Sequence, residues 1–122
     1  MRTSLKYDFC EIEIHDNYIV VVVFEGINLT SDKNDILLNI ATKYFKNTNF
    51  GYITNRIHSY SVDPSIYIET SKIENLVSFS IVSSKIIHIS NTKIEKLFYK
   101  KPFKHFFNLE DTIEWTKNII LK

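Results

Sequence analysis

Residues 18–25, Tyr18-Ile19-Val20-Val21-Val22-Val23-Phe24-Glu25, form an almost unbroken apolar and largely β-branched run. β-Branched side chains are stiff at χ1 and fit a pleated surface, so the run predicts a strand rather than a helix. A half-exposed strand alternates polar and apolar residues, and this one does not. It reads as a strand covered on both faces, at the centre of a sheet with helices above and below.

Upstream, residues 7–15 do alternate: Cys10, Ile12 and Ile14 share one face, and Glu11, Glu13 and His15 the other. Asp16-Asn17 supplies two residues that tolerate φ > 0, as a tight hairpin requires, so this segment is expected to pair antiparallel with the central run as a half-exposed edge strand. Downstream, Gly26 ends the run and Thr30-Ser31-Asp32 signals a helix start. Ile36, Leu37, Ile40, Ala41 and Tyr44 follow at helical spacing, and Asn47-Thr48-Asn49 breaks the helix.

Phe50-Gly51-Tyr52-Ile53-Thr54-Asn55 predicts the third strand. A polar connection over residues 56–61 leads to Val62-Asp63-Pro64, with Pro64 near the first turn of a short second helix that carries Ile66, Ile68 and Ile73. Residues 76–82 predict another buried strand, while residues 84–90 fit either a helix start or an extended segment. Ile94, Leu97 and Phe98 have the spacing of a third helix, which Pro102 stops. Residues 103–107 predict the last strand. Asn108 to Asp111 caps a final helix whose inner face is Leu109, Ile113, Thr116 and Ile120. The predicted order is ββαβαβαβα, an α/β mixed sheet with an antiparallel N-terminal edge strand and helices on both faces.

The 122 residues suit one domain over positions 1–122 with one core, without internal repeat or linker. Fifteen basic against fourteen acidic residues leave a net charge of +1, which argues against a broad nucleic-acid or anionic-membrane footprint. A single cysteine, Cys10, allows no internal disulfide and suits a reducing compartment, so a cytoplasmic location is expected. No apolar run approaches the roughly 20 residues that span a bilayer. The first residues lack the apolar stretch of about 7–15 residues that a secretory signal needs. Two glycines are too few for a phosphate-cradling Gly-rich loop.

Three stretches carry a family resemblance: residues 50–64 (FGYITNRIHSYSVDP), residues 95–103 (EKLFYKKPF) and residues 108–115 (NLEDTIEW). With the element order, they make the chain, from Tyr7 to Trp115, resemble the STAS-like group of small bacterial proteins. That group is related to anti-sigma-factor antagonists and to the lipid-binding CRAL-TRIO fold. The resemblance implies the fold more firmly than any activity. In regulatory STAS domains a serine at the start of the helix after the third strand is a phosphorylated switch. The matching positions here are Ser59, Ser61 and Ser65. The Asp-Ser-Ser-Gly-type motif of those regulators is absent, so the expectation is no phosphate, with Asp63 and Ser61 as turn and cap groups for the helix at Pro64.

Arg56 and His58 follow a predicted central strand, where ligands gather in open α/β sheets. Arg56 is one of two arginines, and its planar fork suits a phosphate or carboxylate. With His58, Tyr60 and Ser61 it makes the candidate ligand- or partner-binding site; the competing reading is a solvated loop whose arginine pairs with a surface acid. The four histidines are widely separated and share no metal-ligand spacing, so neither metal nor cofactor is expected. Cys10 reads as a buried, inert thiol. Lys93, Lys96, Lys100, Lys101 and Lys104, interleaved with Phe98, Tyr99, Phe103 and Phe106, read as a solvated lysine face over core aromatics rather than a membrane or nucleic-acid surface.

The expected function is a non-enzymatic binding or regulatory module that engages a protein partner or a small anionic ligand through the loop after the third strand. The alternative is a carrier or sensor of a hydrophobic, lipid-like small molecule held between a helix and the sheet. Enzyme activity ranks third, because no nucleophile–base pair can be placed. No nucleic-acid partner and no stable membrane insertion are expected, and the sequence is compatible with a homodimer.

Overall fold

The computed structural model describes residues 3–84, 95, 97, 99 and 101–121. The main sheet comprises β1 (Thr3–Lys6), β2 (Cys10–Ile14), β3 (Tyr18–Val23), β5 (Phe50–Asn55), β7 (Leu76–Val82) and β8 (Phe103–Phe106). They lie in the order β1-β2-β3-β5-β7-β8. The first two pairings are antiparallel and the remaining three parallel. A second, two-stranded sheet joins β4 (Asn28–Leu29) to β6 (Ser61–Val62) in parallel. The helices set out among the described residues are α1 (Ser31–Tyr44), α2 (Ile66–Ser71) and α3 (Leu109–Leu121).

The β-branched run lies inside the sheet, as its composition requires. Val21 is fully buried and sits between Ile12 of β2 and Thr54 of β5. Its odd-numbered neighbours Ile19 and Val23 join the larger core under α1 and α2, while Tyr18 and Val20 join a smaller one under α3. Both faces are thus covered.

Five local expectations are corrected. The alternating segment is not the edge: β1 pairs along its outer side, leaving Cys10, Ile12 and Ile14 buried. The Asp16-Asn17 hairpin closes with His15 N–H donating to Tyr18 O at 2.9 Å, and no described non-glycine residue has positive φ. On α1, Leu37, Ile40 and Ala41 are buried, but Ile36 and Tyr44 are exposed, so the core-facing stripe is narrower than its spacing implies. Pro64 lies two residues ahead of α2, whose start is set by Asp63: its Oδ1 accepts from the backbone N–H and the hydroxyl of Ser65. Ser61 does not cap it, donating instead to Asn28 Oδ1 at 3.0 Å.

The expected third helix falls largely outside the described residues. The final helix starts as its sequence dictates: Asn108 Oδ1 accepts from Asp111 N–H at 2.9 Å, and Asn108 Nδ2 donates to Asp111 Oδ2 at 3.0 Å. Its fully buried side chains are Thr112 and Thr116, with Leu109, Ile113 and Ile120 half-buried.

Candidate functional site at the carboxyl end of the sheet

The parallel strands bring aligned rows of side chains to the α1/α2 face. Tyr52 pairs with Phe79 and Phe79 with Phe103, so three aromatic rings stack across β5, β7 and β8 at 4.7 and 5.2 Å. Tyr67 of α2 stands edge-on to Phe79 and Phe103. The next row is Thr54, Ile81 and His105. Arg56 comes two residues beyond Thr54, where pleating returns it to the same side; its backbone N–H donates to Val82 O at 2.8 Å.

That position buries Arg56, which is 5% exposed. Its Nη2 donates to Glu95 Oε1 and Oε2 at 3.2 and 3.5 Å, and its Nε donates to the Tyr60 hydroxyl at 3.2 Å. The guanidinium also lies 5.0 Å from the centre of the Tyr60 ring. Tyr67 also acts on the Glu95 carboxylate. A buried guanidinium demands such partners, since an isolated charge away from water is strongly disfavoured.

Burial works against the Arg56 charge, but Tyr60, Glu95 and Tyr67 outweigh it and hold its pKa above the ordinary arginine value. For Glu95 burial prevails: it raises the carboxyl above its usual range, and the Arg56 charge offsets only part of the rise. The Tyr67 hydroxyl is pushed well up, chiefly by burial and then by the Glu95 charge. His105 is pulled down, first by burial and further by Arg56, against a raising hydrogen bond to the Ser83 backbone.

The rest of the predicted constellation lies on the outside of this network. His58 is partly exposed, with Nδ1 4.0 Å from Glu25 Oε1, and the same carboxylate oxygen accepts from Ser59 N–H at 3.0 Å. Gly26, in the left-handed region at φ 77, donates its N–H to Ser59 O at 2.8 Å. Ser61 N–H donates to Ile27 O at 2.9 Å. The loop after β5 is therefore stitched to the loop after β3, and Ile57 is left 57% exposed at its crest.

Arg56 and Tyr60 come together. His58 and Ser61 are held close by in sequence but bond to the neighbouring loop instead. Of the two sequence readings of Arg56, the solvated loop is corrected: the arginine is buried and its acid is Glu95, not a surface carboxylate. Ser59, Ser61 and Ser65 are all exposed. The hydroxyls of Ser61 and Ser65 donate to Asn28 Oδ1 and Asp63 Oδ1.

Glu95 and Tyr67 were not legible as site residues. A lone arginine after an apolar strand signals that some acid is needed, but nothing marks which of fourteen acidic residues supplies it.

Cys10 is fully buried, and burial, with Asp8 and Glu11 adding, pushes its thiol up to about 12. The lysine–aromatic cluster separates: Tyr99 and Phe103 are buried, Lys101 Nζ donates to the carbonyls of Ile73 and Leu76, and Lys104 lies exposed over the Phe106 ring. Lys93, Lys96, Phe98 and Lys100 lie outside the described residues. Among the described residues no group of His, Cys, Asp and Glu is arranged to hold a metal ion. No described helix is long and apolar enough to cross a membrane.

No family model and no curated protein matches the chain. A solved structure does: the crystal structure of an uncharacterized protein from the DUF3478 family, with a SpoIIAA-like fold, from Shewanella loihica PV-4. It superposes with a TM-score of 0.63 over 95% of each chain, at 13% sequence identity. At that identity the likeness speaks for the fold, and a mixed sheet with helices is consistent with it. The chain has the SpoIIAA-like fold, the STAS-like arrangement that its sequence resembles.

Proposed function

We propose that this protein is a non-enzymatic binding or regulatory module that engages a protein partner through the loop after β5. The observation that carries the reading is the contrast between the loop's two sides. Its inner side is anchored by the buried Arg56–Glu95 pair, and its outer side presents Ile57, His58 and Ser59 beside Glu25. An exposed aliphatic side chain on a loop of fixed shape, rimmed by polar groups, is the usual make-up of a small protein-binding surface. The hydroxyls of Ser61 and Ser65 are engaged by Asn28 and Asp63, which favours binding over bond-making chemistry at those two serines.

A free small anion is a weaker fit for this site, because the Arg56 guanidinium is already engaged by a carboxylate and a phenol. A hydrophobic ligand between helix and sheet competes with the stacked Tyr52, Phe79 and Phe103 rings and the edge-on Tyr67, which fill that layer. Photo-crosslinking in host cells separates these readings, with the reactive residue placed at Ile57 or, as a control, at exposed Asp35 on α1. A discrete protein adduct from position 57 alone is expected. Adducts from both positions, or from neither, overturn the reading. In that case phosphate titration and native mass spectrometry decide between anion and lipid-like ligand.

A further inference from the structure

Helix α3 meets the sheet through hydroxyl groups. Its two fully buried side chains, Thr112 and Thr116, face Gly51, Ser78 and Ser80. Thr112 Oγ1 donates to Ser80 Oγ at 2.5 Å, and Thr116 Oγ1 donates to the Thr112 carbonyl at 2.7 Å. Ser78 Oγ is buried with no hydrogen-bond partner. It is aimed into the same seam: a Cβ placed on Gly51 would lie 2.9 Å from it and 2.2 Å from Thr116 Cγ2.

A seam of this chemistry gains little from being closed. Water can satisfy the same hydroxyls when the helix is away, whereas an apolar contact is lost on opening. For Ser78 the closed state is the poorer one, because the hydroxyl gives up water and receives no bond in return. The apolar hold on α3 comes from half-buried side chains: Leu109 and Ile113 pack against the smaller core, Trp115 lies against Phe106 at 5.4 Å between ring centres, and Ile119 and Ile120 are half-buried. No described strand follows α3, so its departure breaks no strand pairing among the described residues.

We infer that α3 is a releasable layer, leaving the sheet as a unit in a sub-global opening while the six strands and the α1/α2 face stay folded. Local openings of this kind belong to elements with few buried apolar contacts. The opening uncovers Tyr18, Val20, Ile53 and Val82, a compact apolar area on the opposite side of the sheet from the Arg56–Glu95 pair.

Native-state hydrogen exchange on the full chain tests this. The central amides of α3, residues 113–118, are expected to share an opening at least about tenfold more frequent than that of β3 and β5. Equal protection in α3 and the central strands overturns the inference. Gly51→Ala drives a methyl into Thr116 Cγ2 and is expected to raise α3 opening by about a further tenfold, with α1 unchanged. Adding Thr116→Ser removes the closer of the two contacts, leaving that with Ser78 Oγ, and is expected to lower the opening again by at least about threefold; no recovery counts against the inference. A uniform loss of protection across the molecule overturns the inference. If Gly51→Ala does not fold, Ser78→Ala takes its place: removing the unpartnered hydroxyl is expected to slow α3 opening, and an unchanged or faster opening counts against it. Trp115 is the only tryptophan and sits on α3. Its fluorescence is therefore expected to change at lower urea than the far-ultraviolet dichroism; coincident transitions overturn the inference.

Discussion

On the α1/α2 side of the sheet, Tyr52, Phe79 and Phe103 stack in register across three strands, with Tyr67 edge-on to them. On the α3 side, the positions one residue away on β5 and β7 are Gly51 and Ser78. The same two strands thus carry a thick aromatic layer on one face and a thin hydroxyl-lined seam on the other. Pleating makes this economy available: successive side chains point to opposite faces, so one strand can serve two layers of different chemistry. The aromatic face holds its helices at a distance filled by rings. The other lets α3 approach until glycine is the only residue that fits at position 51.

The largest effect separating the two faces comes from one strand. Val21→Asp places a carboxylate in the α1/α2 core with no partner, and is expected to cost about 4 kcal/mol or more, enough to unfold a marginal domain. Val22→Asp, half-buried on the opposite face beyond the cover of α3, is expected to cost about 1 kcal/mol. Urea denaturation of both variants measures the difference, and equal midpoints would erase the distinction between the faces.

The Arg56–Glu95 pair extends the α1/α2 face to its polar end. Arg56→Ala strands a buried carboxylate and is expected to destabilise the fold by about 3–5 kcal/mol at neutral pH. The effect depends on pH in a definite direction. Because the folded Glu95 pKa is raised, the stability linked to its protonated form is present below the ordinary carboxylate value and is lost as pH rises through the folded value. The Arg56→Ala deficit should therefore shrink on acidification towards the carboxylate range. Thermal melts across that interval read this out, and a deficit that grows in acid would show that Glu95 stays ionised.

A smaller effect appears in alkali. Cys10, Tyr52 and Tyr67 are all raised, each chiefly by burial. Groups raised in the folded state add stability that is intact below their ordinary values and falls as pH rises through the folded ones. Stability is expected to hold to about pH 9 and then decline, with Cys10 closed to thiol reagents until unfolding. Tyrosinate absorbance and thiol labelling followed together check this. Early Cys10 labelling with the fold intact would mean the α1/α2 face is less tightly closed than its packing indicates. The smallest effect belongs to the α3 side: Asn108→Ala removes one cap and is expected to cost about 1 kcal/mol, seen as a lower midpoint for Trp115 fluorescence.

The strands of this fold were legible because their signal is local. A β-branched run, an alternating neighbour and helix-spaced aliphatics each declare themselves within a few residues. The added edge strand β1 and the two-residue pairing of β4 with β6 were not legible, since four or two residues carry no period to read. Arg56 and Tyr60 were singled out from their place after a central strand. Glu95 was missed because a buried ion pair is a relation between positions thirty-nine residues apart.

Sequence by itself determined that β3 is interior, that an antiparallel strand precedes it, that strands and helices alternate after it, and that Asn108 starts the last helix. These follow from side-chain shape, polarity and hydrogen-bonding capacity acting over a turn or a pleat. Tertiary structure alone decided that Arg56 lies inward on Glu95, that Thr112 and Thr116 rather than a wholly aliphatic stripe meet the sheet, and that Gly51 is there for closeness rather than for a turn. The physical reason is that strand order and register select which distant residues share a face, and no local preference encodes that choice.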